Sequence, residues 1–338
     1  MGHPTSYPDA LQAVLKPLLP QWGLTKETSL RLLTVSENVT FLAWDPQSDS
    51  RLILRVHRPG YTTREEITSE LDWLNALTLQ PDIHVGSPAP LLDGSYIADI
   101  TVGEITTQVV AFNFVAGNEP ALDDDLCHWY YRLGQSAAHL HCHSEQWARP
   151  DGFRRRIWRF DTIIGEQSAW GEWRDLQPFS PQELQLLGDV EQSVKAALTH
   201  YGESPQRFGL VHCDMRLANL LVDGDQLTVI DFDDCGLCWF GWDFATAVSF
   251  IEDDPRIEAF CHAWVEGYRT QRAFSTSDEA LLPVLVMLRR LQLTAWIASH
   301  PETSTAQELR AQWGSNTLRL AREYLQRFPL STDSVQGA

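Results

Sequence analysis

His212-Cys213-Asp214-Met215-Arg216-Leu217-Ala218-Asn219 and, ten residues on, Val229-Ile230-Asp231-Phe232-Asp233 decide how this 338-residue chain is read. Between them, Leu220–Val222 and Gln226–Ile230 are short apolar runs around Asp223-Gly224, a dipeptide that signals a tight hairpin. Folding the chain there carries Asn219, just before one strand, beside Asp231, just after the other, since paired strands lie about 4.8 Å apart. An amide oxygen and a carboxylate at that spacing are hard ligands suited to Mg²⁺. That cation takes few protein ligands because phosphates and waters complete its octahedron. Asp214, five residues before Asn219 in the same loop, is placed to accept a proton from an attacking hydroxyl.

Upstream of this segment the chain changes character once. Leu30–Val35, Thr40–Trp44, Leu52–His57, Ser95–Ile100 and Thr106–Phe114 alternate apolar and polar residues between turn signals, which predicts a mostly antiparallel sheet. One helix interrupts the strands. Thr63 and Glu66 have capping-box spacing, and Ile67, Leu71, Leu74 and Leu77 follow with a helical period. From Leu126 onward the pattern is helical apart from the hairpin near residue 225. Sheet first and helices second predicts an α+β protein of two lobes, residues 1–115 and 116–338, with a hinge around 112–118.

The composition excludes several classes. With 43% hydrophobic and 21% charged residues the chain is that of a globular protein. A formal net charge of −19 argues against nucleic acid as a partner, which calls for clustered Lys and Arg. Only Lys16, Lys26 and Lys195 are lysines; every other cation of that class is arginine. Six scattered cysteines read as reduced thiols in a cytoplasmic protein. The first twenty residues lack the basic-then-apolar order of a signal peptide, and Gly2 with Ser6 matches only a loose myristoylation pattern. The longest apolar run, Leu281–Leu288, stops at Arg289-Arg290, so a buried helix is expected rather than a membrane span.

The motif His-x-Asp-x4-Asn, followed twelve residues later by Asp231 in Ile-Asp-Phe, resembles the catalytic and metal-binding segments of protein kinases. It is more similar still to the aminoglycoside phosphotransferase family of the protein-kinase-like superfamily, which carries Ile-Asp, then Phe or Trp, then Asp or Glu, in place of Asp-Phe-Gly. The resemblance implies a kinase-like fold and an ATP-dependent transfer of the γ-phosphoryl group to a hydroxyl. It implies that Asp214 is the base, that Asn219 and Asp231 bind Mg²⁺, that His212 braces the loop and that Asp243 ties it down. The segment Leu54-Arg55-Val56-His57 through Leu74 resembles the branch containing homoserine kinase type II and the bacterial stress-response kinase A. Strand alternation puts Ile53, Arg55 and His57 on one face, and Glu70 shares a helix side with Ile67 and Leu74. A buried ionised Glu needs a partner, and Arg55 is the expected one, standing where most relatives carry lysine. The family further implies a phosphate loop at Ser36-Glu37-Asn38, adenine contacts from the backbone of Phe112 to Phe114, and Ile53 as a pocket wall.

Other features read as structural. Cys235-Gly236-Leu237-Cys238 is expected to be a turn, and His139 with His143 part of a half-buried helix end. The run Arg154 to Arg159 is expected to be a solvated basic face, and Glu252 to Asp254 a helix terminus before Pro255. The acceptor expected is a small hydroxylated molecule: an amino alcohol, an aminoglycoside or a homoserine-like compound. Two alternatives stay open, a Ser/Thr protein kinase and a catalytically weak nucleotide-binding regulator.

Overall fold

The computed structural model describes residues 7–176 and 179–330; the readings of Gly2 with Ser6 and of the 331–338 tail lie outside the described residues. In chain order the elements are α1 (Tyr7–Leu15), β1 (Ser29–Val35), β2 (Val39–Trp44), β3 (Arg51–Val56), α2 (Arg64–Leu77), β4 (Ile97–Val102) and β5 (Ile105–Asn113). There follow α3 (Leu126–Gln146), β6 (Arg156–Ile157), α4 (Phe160–Ile163), α5 (Pro181–Tyr201), β7 (Phe208–Val211), β8 (Leu220–Asp223), β9 (Gln226–Val229) and β10 (Gly236–Trp239). Four helices close the chain: α6 (Trp242–Ala247), α7 (Ile257–Arg269), α8 (Thr276–Ser299) and α9 (Ser304–Arg327).

Two compact units result. The first comprises 1–118, 148–155 and 221–233; the second comprises 119–147, 156–220 and 234–338. The first unit therefore runs three residues past the expected boundary at 115 and recruits two later segments.

In the first unit, five antiparallel strands stand in the order β1-β2-β3-β5-β4. Leu52, Leu54 and Val56 of β3 join Phe41, Ala43, Val109 and Ala111 on one face, which α1 covers with Leu11 and Leu15. The alternate residues point the other way, where Val110 meets Ile67 and Leu71 of α2. Burying that stripe orients α2, and truncating Ile67 to Ala would cost about 2–5 kcal/mol. The capping box forms as spaced: Thr63 Oγ1 accepts from Glu66 N at 3.2 Å, and Thr63 N donates to Glu66 Oε2 at 2.9 Å. Each of the five expected strands agrees with an observed one to within about two residues. The β8–β9 hairpin also forms, but its turn residues are Gly224 and Asp225 rather than Asp223-Gly224, with Gly224 at φ 57°.

The second unit is not helical throughout. Beside its helices it holds a three-stranded sheet ordered β6-β10-β7, with β10 parallel to β6 and antiparallel to β7. Cys238 thus lies within the strand β10 and Cys235, also buried, directly precedes it, so the four residues do not form a turn. Helices α3 and α7 pack backbone against backbone through Gly134 and Gly267. A Cβ on Gly134 would stand 2.1 Å from Trp264 O, and one on Gly267 1.9 Å from Tyr131 O, distances no side chain tolerates. Helix α8 is long and apolar enough to cross a membrane by length and composition, but 83% of that stretch is buried inside the protein. It carries Arg289 and Arg290, both buried. Arg290 pairs with buried Glu252 at 2.8 Å, so Glu252 is a core partner and not a solvated helix terminus.

Candidate active site

The first unit assembles a buried cluster of charge around Arg55. Its Nη2 donates to both carboxylate oxygens of Glu70, at 2.7 and 2.6 Å, and its Nη1 to Asp231 Oδ1 at 3.1 Å. Burial pushes the Arg55 pKa down, but Glu70, Asp233 and Asp231 outweigh it and raise the group above its ordinary value. Burial drives the Glu70 carboxyl up while Arg55 pulls it back. The pair is ionised, since a guanidinium keeps its proton at neutral pH and one nitrogen bonding two oxygens calls for an acceptor-only carboxylate.

Asp233, two residues past Asp231, gathers the surrounding elements. Asn38 Nδ2 donates to its Oδ2 at 2.8 Å, fastening the β1–β2 loop, and Asn38 Oδ1 accepts from Arg58 N at 3.2 Å. Arg155 donates to the Asp233 carbonyl and to Glu66 O at 2.9 Å. The basic run therefore contributes one buried structural cation, not only a solvated face. Burial pushes the Asp233 carboxyl up, but Arg55, His57 and Arg155 hold it down at about 2. His57 is 1% exposed with neither ring nitrogen hydrogen-bonded; its Nδ1 lies 3.5 Å from Asp233 Oδ1. Burial, then Arg55, lowers its pKa to about 3 despite Asp233, so the ring is neutral at pH 7 and the approach is not an ion pair.

Asp231 itself has a left-handed backbone, φ 62°, and keeps 44% of its side chain exposed. A non-glycine residue held there costs on the order of 1–3 kcal/mol, and such residues gather at functional sites. Ile53 pairs with Phe112 across β3 and β5, and the Arg55 guanidinium lies 5.0 Å from the Phe112 ring. Phe114 is exposed and its N–H is committed to Arg51 O at 3.2 Å. Ser36 is exposed at the loop tip, its N–H bonded to Asn38 O.

The second unit holds the other half of the motif. Asp214 Oδ1 accepts from Arg289 Nη2 at 2.7 Å. Its Oδ2 accepts from Asn219 Nδ2 at 2.8 Å and from Arg216 Nε at 3.2 Å. Burial raises the carboxyl, but Arg216, Arg289 and His212 override it and hold it below the ordinary carboxylate range. Asp214 is thus an ionised carboxylate with 17% of its side chain exposed. Asn219 Nδ2 also reaches Asp214 O at 2.9 Å. With its nitrogen so committed, the amide keeps its oxygen as the remaining acceptor atom.

The loop is braced from beneath. His212 Nδ1 accepts from Asp214 N at 3.1 Å. Asp243, fully buried, accepts from Cys213 N at 2.8 Å and His212 N at 3.2 Å, which holds Cys213 in its left-handed conformation at φ 68°. Asp243 is in turn bonded to His141 Nε2 at 2.9 Å, and His141 Nδ1 to Tyr268 Oη at 2.8 Å. The expected cluster therefore divides between units: Arg55, Glu70, Asn38 and Asp231 come together in one, His212, Asp214, Asn219 and Asp243 in the other.

Arg289, His141, Asp233 and Arg155 were not anticipated. His141 had a usable signal, because the buried face of α3 runs Tyr130, Gly134, Ala137, His141, Ser144 and so selects it over His139 and His143. Arg289 had none beyond being an arginine in an apolar helix.

Comparison with known proteins identifies the family. The sequence pattern of the phosphotransferase enzyme family matches residues 30–274. A solved structure of a microcompartment-associated aminopropanol kinase is 40% identical, with a TM-score of 0.85 over 94% of this chain and 98% of that one. Amicoumacin kinase from Bacillus subtilis is 21% identical over 294 residues, 83% of this chain and 82% of its own length. The structure of an amicoumacin kinase in complex with AMP-PNP, Ca²⁺ and Ami has a TM-score of 0.73 at 18% identity, over 91% of this chain and 93% of that one. This chain belongs to the phosphotransferase enzyme family, with the kinase-like α+β fold, and is a small-molecule kinase that phosphorylates a hydroxyl group.

Proposed function

We propose that the protein transfers the γ-phosphoryl group of ATP to the hydroxyl of a small amino alcohol of the aminopropanol kind, in the cytoplasm. The observation that carries the reading is Asp214, an ionised, part-exposed carboxylate held on a braced loop. The 40% identity to an aminopropanol kinase over nearly the full chain supports the acceptor class. All six cysteines are free, as suits a reducing compartment.

Transfer of a phosphoryl group relies on position and charge neutralisation, because the transition state is loose and spreads negative charge over the moving oxygens. Asp231 and Asn219 would hold the divalent cation. The donors on offer, a half-exposed carboxylate and a free amide oxygen, are the hard oxygens that Mg²⁺ takes, and that ion neutralises the phosphates when bound. Arg55 keeps Asp231 and Glu70 in register. Asn38 fixes the loop that would meet the phosphates, Ser36 stands at its tip, and Ile53 with Phe112 would line the base pocket. Asp214 orients the acceptor hydroxyl and takes its proton, with His212 and Asp243 holding the loop still.

A coupled ADP-release assay over hydroxylated metabolites tests this. ADP release should be largest with vicinal amino alcohols and should require a divalent cation. An acceptor spectrum confined to sugars or aminoglycosides, or no release above the background with water, defeats the assignment of substrate.

A further inference from the structure

Asp214 is held unequally at its two oxygens. Oδ2 is bonded twice from its own loop, by Asn219 and by the one-third-exposed Arg216. Oδ1 accepts one bond, from Arg289, which comes from α8 seventy-five residues away and is 2% exposed. That guanidinium is itself immobilised on every donor-bearing nitrogen. Nε donates to Ser249 Oγ at 2.9 Å, Nη1 to Gln292 Oε1 at 2.8 Å, and Nη2 to Asp214, while the Trp170 ring lies 5.3 Å from it. A buried arginine bonded through all three of its nitrogens is a rigid fork, which lysine cannot imitate.

Each carboxylate oxygen has two lone-pair sites. Asn219 and Arg216 fill both on Oδ2, whereas Oδ1 keeps one open beside Arg289. We propose that Oδ1 is the atom that receives the acceptor's proton, and that Arg289 is the positioning residue that aims it. This rests on Asp214 being the base. In the step so described, the hydroxyl oxygen forms its bond to the γ-phosphorus as the bond to the departing nucleoside diphosphate breaks, and that bond's electron pair leaves with the diphosphate. The hydroxyl proton moves to Oδ1 and afterwards to solvent. Arg289 exchanges nothing; it fixes the direction of the open lone pair. Misplacement of a reacting group by about 1 Å can cost about 10²-fold in rate.

The test is a double-mutant cycle on single-turnover transfer from labelled ATP to 1-amino-2-propanol, with Arg289→Met, Asp214→Asn and the pair. Arg289→Met should lower the rate about 10- to 100-fold while acceptor KM and nucleotide affinity move less than about threefold. In the Asp214→Asn background the same change should cost less than about threefold, because a residue acting through the carboxylate has nothing left to aim. Equal losses in both backgrounds, or a loss confined to KM, overturn the proposal. Should Arg289→Met fail to fold by circular dichroism, Arg289→Lys takes its place in the cycle, with the same losses expected and the same losses fatal. Full activity in Asp214→Asn alone would instead remove the base, an outcome separate from either result for Arg289.

Discussion

Replacing His57 by asparagine should flatten the acid side of the stability curve. The ring is buried, lies beside Arg55 and Arg155, and has a folded-state pKa of about 3 against 6.5 for an exposed imidazole. The unfolded chain therefore binds more protons than the folded one between these values. The contribution of neutral His57 is complete above pH 6.5 and shrinks as pH falls toward 3. At about 1.4 kcal/mol per pH unit, acidification from pH 6.5 to 5 should remove about 2 kcal/mol. For a unit of this size that is a fall in Tm of about 4–8 °C. The carboxyl of Asp233 sits at about 2 and titrates outside this range. Differential scanning calorimetry at pH 7.5 and pH 5 on both proteins isolates the effect, since Asp233, which His57 also influences, titrates below this interval. The wild type should lose about 5 °C more than His57→Asn. An equal loss in both would show that His57 is solvated or charged in the folded protein, and would refute the buried cluster around Arg55.

Removing the Asp231 carboxylate should abolish cation-dependent nucleotide binding. Titration calorimetry of Asp231→Ala with ATP and Mg²⁺ that showed undiminished heat would take this residue out of the metal site. Truncating Arg290 to Met strands buried Glu252, so stability should fall by about 3–5 kcal/mol, read by urea denaturation. Gly267→Ala forces α3 and α7 apart where their backbones touch, at a cost of about 1–3 kcal/mol. It should also reduce kcat by disturbing Tyr268, which supports His141 and Asp243; unchanged Tm and kcat would show that the helices yield freely.

Local chemistry explains which parts of the fold could be read in advance. The strands of the five-stranded sheet are six to nine residues long, enough for alternation to be counted, and the four-residue strands β8 and β9 were betrayed by their turn signal instead. Thr63 and Glu66 mark the start of α2 by a bond pair that depends on spacing alone. The sheet of β6, β7 and β10 escaped because its strands have two to four residues, too few to display a period. Helix α1 escaped for a similar reason, with only Leu11 and Leu15 to declare a face. Within the candidate site, the residues of each motif could be grouped in advance because each motif is one short stretch of chain, His212 to Asn219 in one and Asp231 to Asp233 in the other. Asp233 stands inside one motif but its role depends on Asn38, His57 and Arg155, all distant in sequence. Arg289 reaches Asp214 from a helix whose direction no local signal encodes.

The proposed chemistry rests on the ionised carboxylate of Asp214. Turnover of Asp214→Asn, measured by ADP release alongside ATP affinity by calorimetry, tests it most directly. A fall in kcat of about 10²–10⁴-fold with nucleotide affinity nearly intact is the result predicted. Undiminished turnover, or loss of ATP binding in its place, would contradict the assignment of Asp214 as the group that receives the acceptor's proton.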